Sequence, residues 1–471
     1  MRMTIKNNIV YVFTTIILSL LFYNVLLYAA EIHVPADRAT IQAGIDVAQN
    51  GDTVIVANGI YTGEGNVNID FKGKQIAVKS QNGAKLTIVD CEGNPDTRGF
   101  IFQNNETNDS LLEGFTIING IHEMGGGIFC DNASPTIKNC VIDSNQATAD
   151  KSNGPGGGGI YCLNSAAVIL ESTITNNIAK YGAGVFFEGC LEKLEKDDDP
   201  TEPCQDISLV NCIISYNIGD GIYCYRGVRP DIRDCTVSHN EWRGIAYNYA
   251  VYANKPIFNC VIEHNSSGGV SSTQYCIMYI EKSIIKDNTA RRGAGIYCGT
   301  ASSVYVSYCV IAENVATHTG GGIEVKSSRG DATIEFCTIT RNRANEEGGG
   351  LFVRTGTSFV LSNSIVWGND ADINHSEAFI AQQFFGRITV KSNDINGRIE
   401  DIVLFFQPEV VTIENNIRED PLFIDAEGGN FRVKPNSPAY AIGAHLILDG
   451  LVSVSSVGKQ VTLWGDIKRQ R

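Results

Sequence analysis

The chain has 471 residues, 43% of them hydrophobic, and a formal charge of −15 at pH 7. That apolar content is enough for a large buried core. So acidic a surface repels a phosphate backbone, which argues against nucleic acid as a partner.

Residues 1–30 carry Arg2 and Lys6, then an apolar run from Ile9 to Leu27, then Ala29 and Ala30 before a polar stretch. This order reads as a secretory signal. Because the run is long, an uncleaved membrane anchor is the alternative. Loss of the segment takes Arg2 and Lys6 with it and moves the formal charge from −15 to −17. Thr40 opens a short amphipathic helix with Ile41, Ile45 and Ala48 on one face, ended by Asn50 and Gly51. Its expected task is to plug the first coil of the repeat region, since an open sheet end invites aggregation. The chain divides into 1–30 (signal or anchor), 31–63 (N-terminal cap and first coil), 64–445 (repeats) and 446–471 (a C-terminal extension ending in the basic TLWGDIKRQR).

From about residue 126 to 369 one phrase recurs. A Gly-rich turn leads into Gly-Ile-aromatic, then a variable stretch, then Asn/Asp-Cys-x-Ile, two residues and Asn. GGIFC (126–130) is followed by IKNCVIDSN (137–145), and GAGIYC (293–298) by YCVIAEN (308–314). The closing Asn falls at 145, 177, 217, 240, 265, 288, 314, 342 and 369, with most steps between 23 and 28 residues. A period in that range marks a solenoid, whose repeats bury their apolar sides only by stacking. Short runs such as Cys140-Val141-Ile142 and Ile160-Tyr161-Cys162 alternate with period two, and no segment of the region has a 3.6-residue apolar period. Helical repeat arrays are thereby excluded. Three short strands per turn, separated by Gly and Asn, make an all-β parallel β-helix of roughly ten or more coils. At about 4.8 Å per coil, ten coils form a core about 48 Å long.

At this point the chain resembles a known family. The Gly157-to-Ile160 and Ile142-to-Asn145 pairs look like the repeats of right-handed parallel β-helix proteins of the pectin-lyase-like fold. They are also similar to repeats in polymorphic outer-membrane autotransporter passengers. VPADRATIQAGIDVAQNGDTVIVANGIYTG (34–63) looks like the usual entry of secreted members, and DPLFIDAEGGNFRVKPNSPAYAIGA (420–444) like their usual exit. The resemblance implies a right-handed solenoid. It leaves activity open, since the family holds lyases, hydrolases, esterases, epimerases and adhesins.

Ten of the 14 cysteines occupy two repeat positions, 130, 162, 224 and 298 in the Gly-Ile strand and 140, 212, 235, 260, 309 and 337 after the Asn/Asp bend. They share parity with inward isoleucines, and Ser172, Ser283 and Ser364 replace them on other rungs. Packed thiols are therefore expected rather than disulfides, whose geometry parallel Cβ vectors fit poorly. No metal site is expected, since no Cys-x-x-Cys pair exists. Cys190 and Cys204 differ, because they bracket the acidic insertion 191–203. A disulfide is expected to close that loop. Asp197 to Asp199 reads as a solvated charge run rather than a Ca²⁺ site.

Outward positions of the Gly-Ile strands read Phe129, Tyr161, Phe186, Tyr223, Ala246, Ser271, Tyr297, Glu324 and Phe352. Such a column either holds sugar rings on its ring faces or simply stacks rung on rung. The turns beside it carry Trp242, Arg243, Arg291, Arg292, His318, Arg341 and Arg343. Tyr223, Trp242, Arg243, Arg291, Arg292, Tyr297 and Arg343 are thus candidate binding residues for an acidic ligand such as a uronate polysaccharide. A second outward column reads Tyr216, His239, His264, Asp287, Glu313 and Arg341. It is expected to stack His239 on His264 and to pair Asp287 with Glu313, as carboxylates sharing acid and base roles do.

Three functions from different classes are compatible with these residues. The first is an exported or cell-surface β-helix that binds glycan or acts as an adhesin-like scaffold, with polysaccharide or cell-envelope glycan as partner and no cofactor. The second is a polysaccharide-active enzyme, above all a uronate lyase. The resemblance to polysaccharide lyases implies a base beside a carboxylate that Arg or Ca²⁺ neutralises. By residue type alone Arg291, Arg292 and Arg341 suit the neutralising role and His318 or Arg343 the base, and an enzyme predicts that a cluster such as His318, Arg341 and Glu324 converges in one groove. The third is a purely structural rod. No phosphate-binding loop, nucleophile elbow or polygalacturonase motif set is present.

Overall fold

The computed structural model describes residues 29–149, 156–189, 206–249, 255–327, 329–355, 358–373, 377–382, 387–397, 403–405 and 410–444. The signal region apart from its last two residues, the 190–205 insertion with Cys190 and Cys204, and the extension 446–471 lie outside them.

Each coil runs through three strands. Ile160–Leu163, Val168–Leu170 and Thr173–Thr175 are one such set. Stacking gives three parallel sheets, called here the glycine sheet (13 strands), the long sheet (15 strands) and the exit sheet (13 strands). Every neighbour within them is a strand from the adjacent coil, so the solenoid is an all-β rod of stacked parallel coils. Inward residues form one continuous core in which Ile128, Ile160, Val185, Ile222 and Ile245 line the glycine sheet and Ile137, Ile169 and Leu209 the long sheet.

The repeated cysteines point into this core, as their parity requires. All twelve described cysteines are buried thiols. Many of their sulfurs find backbone acceptors, as in Cys235 Sγ donating to Arg233 O at 3.1 Å. Ser172 fills the same slot with its hydroxyl on Leu170 O at 2.7 Å.

The closing asparagines are fully buried and build a ladder along the rod. Asn145 N donates to Asn177 Oδ1 at 3.0 Å, and Asn145 Nδ2 also reaches that oxygen at 3.1 Å and Ile117 O at 3.0 Å. The pattern repeats through Asn217, Asn240, Asn265, Asn288, Asn314, Asn342 and Asn369. Each amide satisfies backbone groups that the turn would otherwise orphan.

Helix α1 (Ile41–Val47) caps the first coil, with the Thr40 hydroxyl accepting from Ala43 N at 3.2 Å. Ile41 and Ile45 join the core beside Val34 and Val54. Gly44 lets the helix approach closely, since a Cβ there would fall 2.9 Å from Val54 Cγ1. At the other end the antiparallel pair Phe423–Asp425 and Asn430–Val433 folds back onto the outer face of the exit sheet, where Phe431 and Ala444 pack on Val310 and Ala312. No helix among the described residues is long and apolar enough to cross a membrane.

Candidate functional site

The outward column of the glycine sheet stands in the expected order, with Phe129, Tyr161, Phe186, Tyr223, Ala246, Ser271, Tyr297, Glu324 and Phe352 paired rung to rung. It does not lie open. Tyr161 and Phe186 are 2% exposed and Tyr223 4%. The cause lies in the Gly-rich turns, which adopt left-handed geometry and curl back over the outward side chain of their own rung. A Cβ at Gly157 would fall 2.7 Å from Tyr161 Cβ, and one at Gly320 2.7 Å from Glu324 Cβ. Under that roof the rings stack, Tyr161 on Phe186 at 5.4 Å and Phe186 on Tyr223 at 5.0 Å. For the Tyr161–Phe186–Tyr223 stretch mutual stacking is the reading its geometry fits, and Tyr223 offers no free ring face, whereas Phe129 and Tyr297 stay partly exposed.

The cations beside it are largely committed to acidic neighbours. Arg243 grips the buried Asp220 with Nε at 2.7 Å and a terminal nitrogen at 3.0 Å. Arg343 pairs with Asp372 at 2.8 Å. Arg341 pairs with Glu313 at 3.3 Å and with Glu427 of the C-terminal hairpin at 2.6 Å. Trp242 is 37% exposed and meets Tyr181 edge-on at 6.2 Å.

His318, Arg341 and Glu324 therefore have separate partners instead of one shared groove. His318 Nε2 faces Arg291 Nε at 3.4 Å. Glu324, 1% exposed, accepts from the Thr319 hydroxyl at 2.7 Å. Burial pushes its carboxyl above the ordinary value, against the pull of Thr319 and of Arg292, Lys326 and Arg354. Burial, with the Glu324 charge added, also raises the Tyr297 phenol. Arg292 Nε is buried without a hydrogen-bond partner. Arg292, Tyr297 and Glu324 thus form one group of predicted site residues that the fold brings together, besides the Arg291–His318 contact and Arg243 over the Tyr223 ring at 5.6 Å.

The second column stands on the bends that leave the exit sheet. Tyr216, His239, His264, Asp287, Glu313 and Arg341 all have φ between 53° and 59°. Tyr216 stacks on His239 at 4.8 Å, and His239 on His264 at 4.7 Å with 2° between the planes. The expected Asp287–Glu313 pairing gives way to cation partners, Lys286 for Asp287 at 3.2 Å and Arg341 for Glu313.

The long sheet holds a site that the sequence reading missed. Outward Tyr279 and Tyr305 sit on neighbouring rungs and stack at 4.8 Å, 13° apart. They floor an open groove of about 250 Å³ lined also by Pro256, Glu281, Thr333 and Glu335. On the far side of Tyr305 the next rung carries only Thr333, so that ring face is lightly covered. The signal was present in the sequence, since both tyrosines alternate with inward Met278, Ile280, Val304 and Val306 and stand one period apart. Aromatic surface with a few polar groups in a concave site is the usual make-up of a ligand pocket.

Fold and surface together define a right-handed β-solenoid with an aromatic groove on one face. The family model described as right handed beta helix region matches residues 159–316 and 274–421, which together span more than half of the chain. The protein belongs to that family. No curated protein matches its sequence. Among solved structures it is similar to a PL6 alginate lyase in complex with a trisaccharide, at 11% identity and TM-score 0.40 over 83% of this chain and 86% of that one. It is also similar to the A-module of the Azotobacter vinelandii mannuronan C-5 epimerase AlgE4, at 13% identity and TM-score 0.35 over 81% and 93%. The Dettilon tailspike protein matches at 12% identity and TM-score 0.34 over 81% and 68%. Likenesses this low carry no residue role or ligand over to this chain.

Proposed function

We propose that this protein is an exported carbohydrate-binding β-helix whose glycan lies in the long-sheet groove on Tyr279 and Tyr305. The observation that carries the proposal is the stacked, outward tyrosine pair in an open concave site. Flat ring surface suits the apolar face of a sugar, while Glu281, Glu335 and Thr333 supply groups for its hydroxyls. The two carboxylates favour a neutral or amine-bearing polymer over a uronate. Export rests on the charged-then-apolar order of residues 1–30, and a mature chain beginning after Ala30 is the result expected from N-terminal sequencing.

Retention on immobilised neutral, amine-bearing and uronate polysaccharides tests the binding. Tyr305→Ala and Tyr279→Ala are each expected to weaken retention on the preferred polymer at least tenfold, and Tyr305→Phe to keep most of it. Full retention in both alanine variants, with loss in Trp242→Ala, would move the ligand to the Trp242 edge and overturn the groove.

A second reading, a uronate lyase, is favoured by one group only: Arg292, whose Nε is buried and unpartnered, beside Glu324 and Tyr297. There Arg292, or Ca²⁺, would neutralise the substrate carboxylate. Incubation with uronate polymers, with and without Ca²⁺, followed by absorbance of unsaturated products, decides it. No absorbance change on any polymer removes that reading.

A further inference from the structure

We propose that Glu263, His264 and Asp287 form a binding site for a divalent transition-metal ion of the zinc class, on the exit-sheet bends and away from the tyrosine groove. Their donor atoms all lie within 4.8 Å of one another. Glu263 Oε2 is 3.9 Å from His264 Nδ1, and Asp287 Oδ2 is 4.0 Å from His264 Nε2. An ion with bonds of about 2.0–2.2 Å holds its donors about 3–4 Å apart, so small side-chain rotations bring one imidazole nitrogen and both oxygens onto one centre.

The two carboxylates already converge on a cation. Lys286 Nζ lies 3.3 Å from Glu263 Oε2 and 3.2 Å from Asp287 Oδ2, the same two oxygens that face the imidazole. The ammonium marks the point where a metal would sit and is its built-in competitor. One nitrogen and two oxygens suit a borderline ion better than Ca²⁺ or Mg²⁺, which prefer oxygen alone.

The rod holds these donors in place. His264 and Asp287 occupy left-handed bends on adjacent coils, at φ 57° and 53°, which fixes their Cα–Cβ directions. Glu263 and Lys286 are paired strand residues of the same two coils. His239 lies flat on His264 and limits rotation of the imidazole. All three donors are partly exposed, so water or a substrate atom can complete the coordination shell.

The test is titration of the purified full-length protein with Zn²⁺ by calorimetry and with Co²⁺ by visible absorption. One ion per chain at micromolar affinity and a Co²⁺ ligand-field band are expected. His264→Asn keeps a residue at home in the left-handed bend and is expected to weaken binding at least thirtyfold with an unchanged melting temperature. Lys286→Ala is expected to tighten binding about tenfold by removing the competitor, a gain that a plain ion-pair role does not produce. Absence of stoichiometric binding, or binding that persists in His264→Asn, would overturn the proposal.

Discussion

Asn369 hands the buried amide ladder to a carboxylate, Glu377. Where every earlier asparagine meets another asparagine, Asn369 donates its Nδ2 to Glu377 Oε2 at 2.7 Å and its backbone N–H to the same oxygen at 3.2 Å. Gly368 N donates to the other oxygen at 2.9 Å. Burial drives the Glu377 carboxyl up to about 7, although those donors pull it down. A carboxyl raised in the folded state binds its proton there while the unfolded chain has already lost it. Stability therefore falls as pH rises from about 4.5 to 7, by about 3 kcal/mol from this group, and is flat above. Glu377→Gln keeps an oxygen for Asn369 and removes the titration. Denaturant unfolding at several pH values should show the difference between variant and parent shifting by about 3 kcal/mol across that window, and a constant difference would contradict it.

The ladder itself is a stability element in each coil it crosses between Asn145 and Asn369. Asn265 accepts from Asn240 N at 3.1 Å and Nδ2 at 2.9 Å, and it donates to Val237 O at 3.0 Å. Asn265→Leu fills the space but orphans these buried groups, each costing about 1–3 kcal/mol. A loss of at least about 3 kcal/mol is expected from chemical denaturation, with amide exchange raised first in the flanking coils, because a solenoid distributes stability between nearest neighbours. Unchanged exchange at Asn240 would show that the ladder is not needed there.

Much of this was legible in the sequence because one residue per period does one job. The closing Asn, the inward Cys or Ser and the capped helix at Thr40 each follow from parity and spacing. What a single strand cannot show is what covers its outer face. The Tyr161–Phe186–Tyr223 column has the pattern of an exposed strip, yet the left-handed glycines that enter the strand fold over it. Charge pairs one period apart, such as Asp220 with Arg243, were readable once the register was known. Arg341 with Glu427 was not, since 86 residues and the fold-back of the C-terminal hairpin separate them.

Arg243 and Trp242 are adjacent and should differ sharply in what their loss costs. Burial opposes the Arg243 charge, but Asp220 outweighs it and holds the guanidinium above its ordinary value. Arg243→Ala strands a buried carboxylate and is expected to cost about 3–5 kcal/mol. Trp242→Ala removes an exposed ring and is expected to cost about 1 kcal/mol. Thermal melts separate them, and equal losses would show that Asp220 finds another cation or water.

The cysteine columns predict a labelling pattern. Burial raises Cys140 to about 11 and Cys91 and Cys298 to about 12, so the reactive thiolate is scarce at neutral pH. Their buried, close-packed sulfurs are also closed to reagent. Native protein treated with a thiol-specific dye is therefore expected to label at none of the twelve described cysteines, and all twelve should react on unfolding. Cys190 and Cys204 are the remaining two, and the loop disulfide expected from their spacing would leave native labelling at zero without reductant. Two labels would mean that the loop is open. More than two would mean that at least one core column is accessible in the folded rod, contrary to its packing.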